Sequence, residues 1–91
     1  MLNKEQKRQL AAKAHHLKTV VMIGNNGVTE NVINEIDVAL TAHELIKVKV
    51  AGADRDEKTA MINDFCEKTR SELIKTIGHI AIIYRKRPAT S

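Results

Sequence analysis

Residues 19–30 read TVVMIGNNGVTE and combine a strand, a turn and the start of a helix. The first five residues are apolar or β-branched on both faces, which predicts a strand covered from both sides. Four consecutive turn formers follow, Gly24-Asn25-Asn26-Gly27. Thr29 is suited to cap the next helix, and Glu30 places an acid in its first turn, where the helix dipole favours one. The segment therefore predicts a β–turn–α unit.

The segments around this unit predict further helices and strands. Leu10, Ala14 and Leu17 have helical spacing and predict an amphipathic helix over about residues 3–17. Residues 44–50 alternate between apolar residues and lysines, which predicts a half-buried strand with a basic outer face.

The last third of the chain predicts one more helix and a hairpin. Asp54 or Asp56 can cap the helix, and its end is ambiguous because helical spacing continues past residue 70. We favour a break near residues 70–71, then strands over 72–77 and 79–85 joined at Gly78. The last strand is apolar on both faces, as expected of a central strand.

The predicted order is therefore α-β-α-β-α-β-β, an α/β (α+β) fold. Alternating β and α units favour neighbouring parallel strands, and the final hairpin adds an antiparallel one. We expect a mixed four-stranded sheet packed on helices. A single domain should span residues 1–87, with a frayed tail over residues 88–91.

Composition limits the classes of protein that this chain can be. It has 91 residues, a formal net charge of +4 and one cysteine, Cys66, which excludes an internal disulfide and a cysteine-based zinc site. No apolar run approaches the roughly 20 residues that span a bilayer, and the N-terminus lacks a signal-peptide pattern. We expect a cytoplasmic monomer that does not enter membranes.

Charge is distributed unevenly along the chain. Residues 1–28 and residues 73–91 each carry a net charge of +4, whereas residues 29–72 carry −4. Such segregation favours a polyanionic partner that contacts the two ends of the chain. The alternative is that the basic ends only increase solubility.

Three groups of residues form the candidate RNA site: the G-x-x-G turn, the basic stripe that runs from the first helix to Lys18, and Arg85-Lys86-Arg87 near the end of the sequence. A G-x-x-G turn that leads into a helix N-terminus suits a phosphate, because glycine permits close approach and free amides favour an anion. On the first helix, basic side chains and His15 follow one another at steps of three or four, with Glu5 as the one nearby acid. The predicted RNA-binding residues are Gly24, Asn25, Asn26, Gly27, Lys4, Lys7, Arg8, His15, Lys18, Arg85, Lys86 and Arg87.

Residue patterns typical of enzymes are missing from the sequence. The Gly-Lys-Ser/Thr of a phosphate-binding P-loop is replaced by Val28-Thr29 after the second glycine. Neither Cys66 nor any serine has a local base and orienting partner. We expect no catalytic group, no metal and no cofactor. Phe65 and Tyr84, the two aromatic residues, lie on apolar stripes, so RNA contact should be mainly to the backbone.

The same residues resemble a known family. The runs AHHL at residues 14–17, VMIGNNGVTENV at 21–32 and ELIKVK at 44–49 are similar to the CRM domain (chloroplast RNA splicing and ribosome maturation), and to its stand-alone bacterial YhbY-like members. Residues 77–78 and 83–85 fit the same pattern, so the likeness covers nearly the whole chain. It implies a fold similar to the C-terminal domain of translation initiation factor three, and association with precursors of the large ribosomal subunit.

Two functional hypotheses follow. The favoured one is an RNA-binding factor for large-subunit precursors that contacts the RNA backbone. The alternative is a protein-interaction module that docks on a ribosomal protein through the acidic middle segment. Salt-sensitive binding to naked RNA distinguishes them.

Overall fold

A computed structural model of the chain describes residues 2–24, 26–51 and 54–86 and confirms the predicted order of elements. The first helix ends earlier than predicted, and the predicted tail lies outside the described residues. In chain order the elements are α1 (Lys4–Ala14), β1 (Thr19–Ile23), α2 (Glu30–His43), β2 (Leu45–Val50), α3 (Arg55–Thr69), β3 (Glu72–Ile77) and β4 (Ile80–Tyr84).

The four strands form one mixed sheet in the order β1-β2-β4-β3. β1 and β2 are parallel, and β4 is antiparallel to both of its neighbours, as predicted. β4 is central, which is also confirmed. The expectation that β1 is covered on both sides is wrong, because β1 is an edge strand with Val20 50% and Met22 60% exposed.

The larger core lies between the sheet and the layer formed by α2 and α3. Ile36 and Leu40 from α2 meet Phe65 from α3, and all three side chains are fully buried. The sheet contributes the buried side chains that alternate towards this layer, namely Val21, Ile23, Ile46, Val48, Val50, Ala81 and Ile83.

A smaller core lies on the opposite face of the sheet, under α1. Ala14 packs there against Leu45 and Ile82, with Leu10, Ile74 and Tyr84 at its margin. These contacts come from the first residue of β2 and from the middle and last residues of β4, so α1 covers that end of this face. Nearer the opposite strand ends this face is more open, with Met22 60% and Ile77 47% exposed.

Local interactions set the helix boundaries that the sequence left ambiguous. Asp54, rather than Asp56, caps α3 by accepting a hydrogen bond from the backbone N–H of Glu57 at 2.8 Å. Arg70 adopts the left-handed conformation, with φ of 56°, and the N–H of Ser71 donates to the carbonyl of Cys66 at 2.9 Å. This terminates α3 although helical spacing continues in the sequence.

Candidate nucleic-acid interface

The loop between β1 and α2 is a tight turn with open space around its two glycines. The N–H of Gly27 donates to the carbonyl of Gly24 at 3.0 Å, and Gly27 has φ of 71°, a conformation that favours glycine. Gly24 and Asn26 are exposed, and a Cβ at either glycine would meet nothing within 4 Å. Asn25 lies outside the described residues. The loop therefore has space for a backbone to approach it.

The start of α2 adjoins this loop, and one backbone N–H of its first turn already has a hydrogen-bond acceptor. Thr29 Oγ1 accepts a hydrogen bond from the N–H of Val32 at 3.2 Å, which confirms the predicted N-cap. Glu30 is exposed in the first turn, where its carboxylate opposes an approaching phosphate. The helix N-terminus is consequently a weaker anion site than the loop.

The carboxyl ends of β1 and β2 bring other segments beside the loop. The N–H of Ala51 donates to Ile23 O at 3.0 Å, and the N–H of Val50 donates to His79 O at 2.7 Å. Lys58 Nζ donates to Gly78 O at 3.0 Å, so the first turn of α3 lies against the β3–β4 turn. Our site prediction omitted Lys58 and His79. Parallel β1 and β2 could have indicated Lys58, because helices that follow parallel strands begin at the same edge.

The predicted basic stripe of Lys4, Lys7, Arg8, His15 and Lys18 is largely exposed, but its last two residues lie beyond the end of α1 at Ala14. Lys4, His15 and Lys18 are exposed and make no ion pair with another described residue. Arg8 lies 3.7 Å from Glu5, but both side chains are more than half exposed, and such surface pairs contribute little. Lys7 is more confined, with its Nζ 3.4 Å from Glu72 Oε2.

Arg85 has a different environment from the one expected of an RNA-binding residue. Its Nη1 donates to Asp37 Oδ1 at 2.6 Å and to the carbonyl of Thr69 at 2.9 Å. Its Nη2 donates to the carbonyl of Asp37 at 3.1 Å and to Thr41 Oγ1 at 2.9 Å. The guanidinium thus ties β4 to α2 and α3. Lys86 is exposed, and Arg87 lies outside the described residues.

The predicted site residues do not all come together. Lys18 precedes β1 and the G-x-x-G loop follows it, so Gly24 lies six positions after Lys18, about 20 Å at roughly 3.3 Å per strand residue. Arg85 lies at the same end of the sheet as α1, since its N–H donates to the carbonyl of Glu44 at 2.9 Å. The loop and the basic stripe are therefore two separate contacts along one sheet.

Three sheet lysines also belong to the α1 side. Lys47 pairs with Ile82, which pairs with Lys75 on β3, and Lys49 pairs with Ile80. Cross-strand partners share a face of the sheet, and Ile82 packs beneath α1. Ile80 lies two residues from Ile82 and therefore on the same face, so all three lysines point to the α1 side. The alternating pattern of β2 predicted a basic outer face. The net negative charge of residues 29–72 gave no sign that this face lies on the side of the sheet that α1 covers.

The two layers that cover the sheet differ in charge. The α1 side comprises residues 4–18 and the outward positions of β2 and β3. It contains eight Lys and Arg residues and two acids, Glu5 and Glu72. The opposite layer, formed by α2, α3 and their N-caps, contains three Lys and Arg residues and eight acids. We call the first surface the basic face and the second the acidic layer.

Cys66 and the possible metal ligands were the remaining groups of interest in the described residues. Burial raises the pKa of the Cys66 thiol above its ordinary value, and outweighs the Ser71 hydrogen bond that lowers it. Within residues 2–24, 26–51 and 54–86, no group of three or more His, Cys, Asp or Glu could hold a metal ion. None of the helices in the described part of the chain is long and apolar enough to cross a membrane.

A known protein family matches nearly the whole chain. The model of the CRS1 / YhbY (CRM) domain matches residues 2–85. The chain belongs to this family. The match includes the G-x-x-G loop, all seven elements and Arg85, so the resemblance seen in the sequence is confirmed over almost the whole chain.

Relatives of the chain are described as RNA-binding proteins. An RNA-binding protein of Haemophilus influenzae is 54% identical over 84 residues, covering 92% of this chain and 85% of its own. A probable RNA-binding protein of Pseudomonas aeruginosa is 47% identical over 87 residues, covering 96% and 84%. The solution structure of a Staphylococcus aureus protein, described as a candidate RNA binder, superposes with a TM-score of 0.86 at 40% identity, covering 100% and 95%.

Proposed function

We propose that this CRM-family chain binds RNA through its basic face and its G-x-x-G loop, without a cofactor or a chemical step. The observation that carries the proposal is the charge difference between the basic face and the acidic layer. A surface with eight bases and two acids attracts a phosphate backbone, and the acidic layer repels one, so the field orients the protein on RNA. The descriptions of the relatives name the same partner.

The loop supports the same proposal from its geometry. Open space around Gly24 and Gly27 lets a sugar-phosphate backbone approach the main chain, and the exposed Asn26 amide can donate to it. This is comparable to the G-x-x-G loop with which KH domains hold four nucleotides. Because the loop itself carries no charge, we assign it positioning and assign most of the affinity to the lysines and arginines.

We further propose that the RNA belongs to a precursor of the large ribosomal subunit. This rests on the membership of the chain in the CRM family, whose resemblance implies ribosome maturation. The protein would act as an assembly factor that reads backbone and shape, because neither aromatic side chain is available for stacking. Phe65 is fully buried and Tyr84 is half-buried beside α1.

A salt series tests RNA binding by the basic face. Wild type and the Lys4→Ala/Arg8→Ala/Lys18→Ala variant are titrated with precursor large-subunit RNA at increasing salt. We expect a steep log–log dependence that the variant reduces by about 0.7 to 0.9 for each phosphate interaction that the substitutions remove. Equal slopes for the two proteins, or weak and salt-insensitive binding by both, would contradict the proposal.

A second candidate function has one specific observation in its favour. Val20 on β1 and Val38 on α2 are 50% and 67% exposed and line a shallow groove beside Glu35. An apolar groove with an acidic margin suits a basic protein segment, as expected for docking on a ribosomal protein. Salt-insensitive binding to naked RNA, together with loss of protein docking in Val38→Asp, would favour this candidate.

A further inference from the structure

The α1-side sheet face has its own set of unpaired cations, with Lys49 in the half that α1 leaves open and Lys47 and Lys75 in the Ile82 row at the margin of α1. Lys47, Lys49 and Lys75 make no hydrogen bond or ion pair with another described residue. Lys75 is exposed, and the two β2 lysines are half-buried, as expected of stems that lie on the sheet while the ammonium reaches solvent. Three ammonium groups on one sheet surface, each open to solvent, can each meet a phosphate of a polyanion.

The floor between these lysines is aliphatic. Met22, Lys49, Ile80 and Ile77 are cross-strand neighbours and form one row across all four strands. Met22 is 60% exposed and Ile77 is 47% exposed, and they lie at the two edges of the sheet. Apolar side chains beside free cations match a nucleotide, which presents a charged phosphate next to a flat, weakly polar base.

The dimensions of the open floor favour one strand of RNA over two. Four strands about 4.8 Å apart give a floor about 14 Å across, and the two or three residues between the Ile82 row and the strand ends give about 7 to 10 Å. α1, itself about 10 Å thick, stands along one side of this floor as a wall. A duplex could not lie flat against the lysines beside that wall, whereas a single strand could.

We propose that this open sheet face seats a single, unpaired RNA strand that runs from the G-x-x-G loop towards α1, with Lys47, Lys49 and Lys75 on its phosphates. The inference rests on the proposed function and specifies its ligand as unpaired RNA. The face connects the two contacts that lie about 20 Å apart along β1. Since the floor has no aromatic ring for stacking, binding here is tolerant of sequence.

Two variants with equal loss of charge test the face. The sheet variant is Lys47→Gln/Lys49→Gln/Lys75→Gln, and the control is Arg55→Gln/Lys68→Gln/Arg70→Gln on α3 and its C-cap. Each is titrated across a salt series with a short single-stranded RNA of mixed sequence and with the same RNA annealed to its complement. Thermal unfolding confirms that both variants fold, and Lys75→Gln alone, at an exposed edge position, serves if the triple variant does not.

We expect wild type to bind the single strand more tightly than the duplex. The sheet variant should lower the log–log salt slope on the single strand by about 2, at roughly 0.7 for each of three phosphate interactions, and Lys75→Gln alone by about 0.7. The control should leave the slope unchanged. If wild type binds RNA and the sheet variant keeps its slope, or if the duplex binds more tightly, the inference is wrong although RNA binding stands. If wild type binds neither RNA, the proposed function fails as well.

Discussion

The two basic segments of the chain carry the same net charge in the sequence but differ in the structure. Residues 1–28 and residues 73–91 each have a net charge of +4. In the first segment, Lys4, Arg8 and Lys18 are exposed, and their one close acid, Glu5, forms a loose surface pair. In the second, the Arg85 side chain is 19% exposed, and its guanidinium donates to α2 and to the end of α3.

This difference shows that the number of charges in a segment does not determine how many can reach a ligand. Arg85 follows a central strand that lies over the acidic layer, so a carboxylate is within reach. α1 packs on the opposite face, where Glu72 is the one acid contributed by the sheet within the described residues. The side of the sheet, and not the position in the chain, decides which cations stay available.

Replacing Arg85 should have the largest effect on stability. Arg85→Met removes charge-assisted hydrogen bonds worth roughly 1.5 to 3 kcal/mol each at buried sites, and because Asp37 is 56% exposed we expect a total loss of about 2 kcal/mol. Urea denaturation measures this loss. RNA affinity of the folded variant should match wild type.

Lys86→Met is the matched control for Arg85, because the neighbouring Lys86 is exposed. We expect its free energy of unfolding to stay within about 0.5 kcal/mol of wild type. An Arg85→Met protein that keeps its stability but binds RNA with a smaller salt slope would show that Arg85 is free to bind RNA, contrary to its hydrogen bonds.

The two loop glycines should differ by about 1 kcal/mol in their response to a side chain. Gly27→Ala places a Cβ on a residue with φ of 71°, which costs roughly 1 kcal/mol, whereas Gly27→Asn should be better tolerated. Gly24 has no such conformation, so Gly24→Val should fold normally and weaken RNA binding by obstructing the backbone. If Gly24→Val binds RNA as wild type does, the loop is only a turn.

Arg8 should show the opposite pattern from Arg85. Because its pair with Glu5 is exposed, Arg8→Ala should change the free energy of unfolding by less than about 0.5 kcal/mol. The salt slope for single-stranded RNA should fall by about 0.7. Loss of stability without a change in slope would place Arg8 in the same class as Arg85.

The smallest expected effect is that of removing the acid from α1. Glu5→Gln loses a favourable interaction with the helix dipole and should destabilise the protein by only about 0.3 kcal/mol. RNA affinity should rise, because the stripe then carries no negative charge. Unchanged or weaker RNA binding in this variant would argue against a role for the stripe.

Much of the fold followed from local patterns. Alternating and helical spacings predicted the element order, and the boundaries of β3 at Glu72 and Ile77 agreed with the structure. The edge position of β1 could not be predicted, because it depends on β4 pairing with β2 rather than with the outer side of β1. Apolar residues on both faces of β1 therefore indicated burial that the sheet order does not provide.

The candidate site was less predictable for the same reason. The loop and the α1 stripe are local patterns, and the structure leaves both exposed. Arg85 has its carboxylate partner 48 residues away, a contact that no spacing reveals. Lys47 and Lys49 lie in an acidic stretch of sequence, yet their side chains belong to the basic face because each strand alternates between two faces.

Amide NMR mapping of RNA binding tests the central claim most directly. A labelled sample is titrated with single-stranded RNA, and the shift of each backbone N–H is followed. We predict that the shifts concentrate in residues 4–18, the G-x-x-G loop and the open sheet face around Lys49 and Ile77, with α2 and α3 little affected. Shifts concentrated in α2 and α3, with the basic face unchanged, would contradict the account.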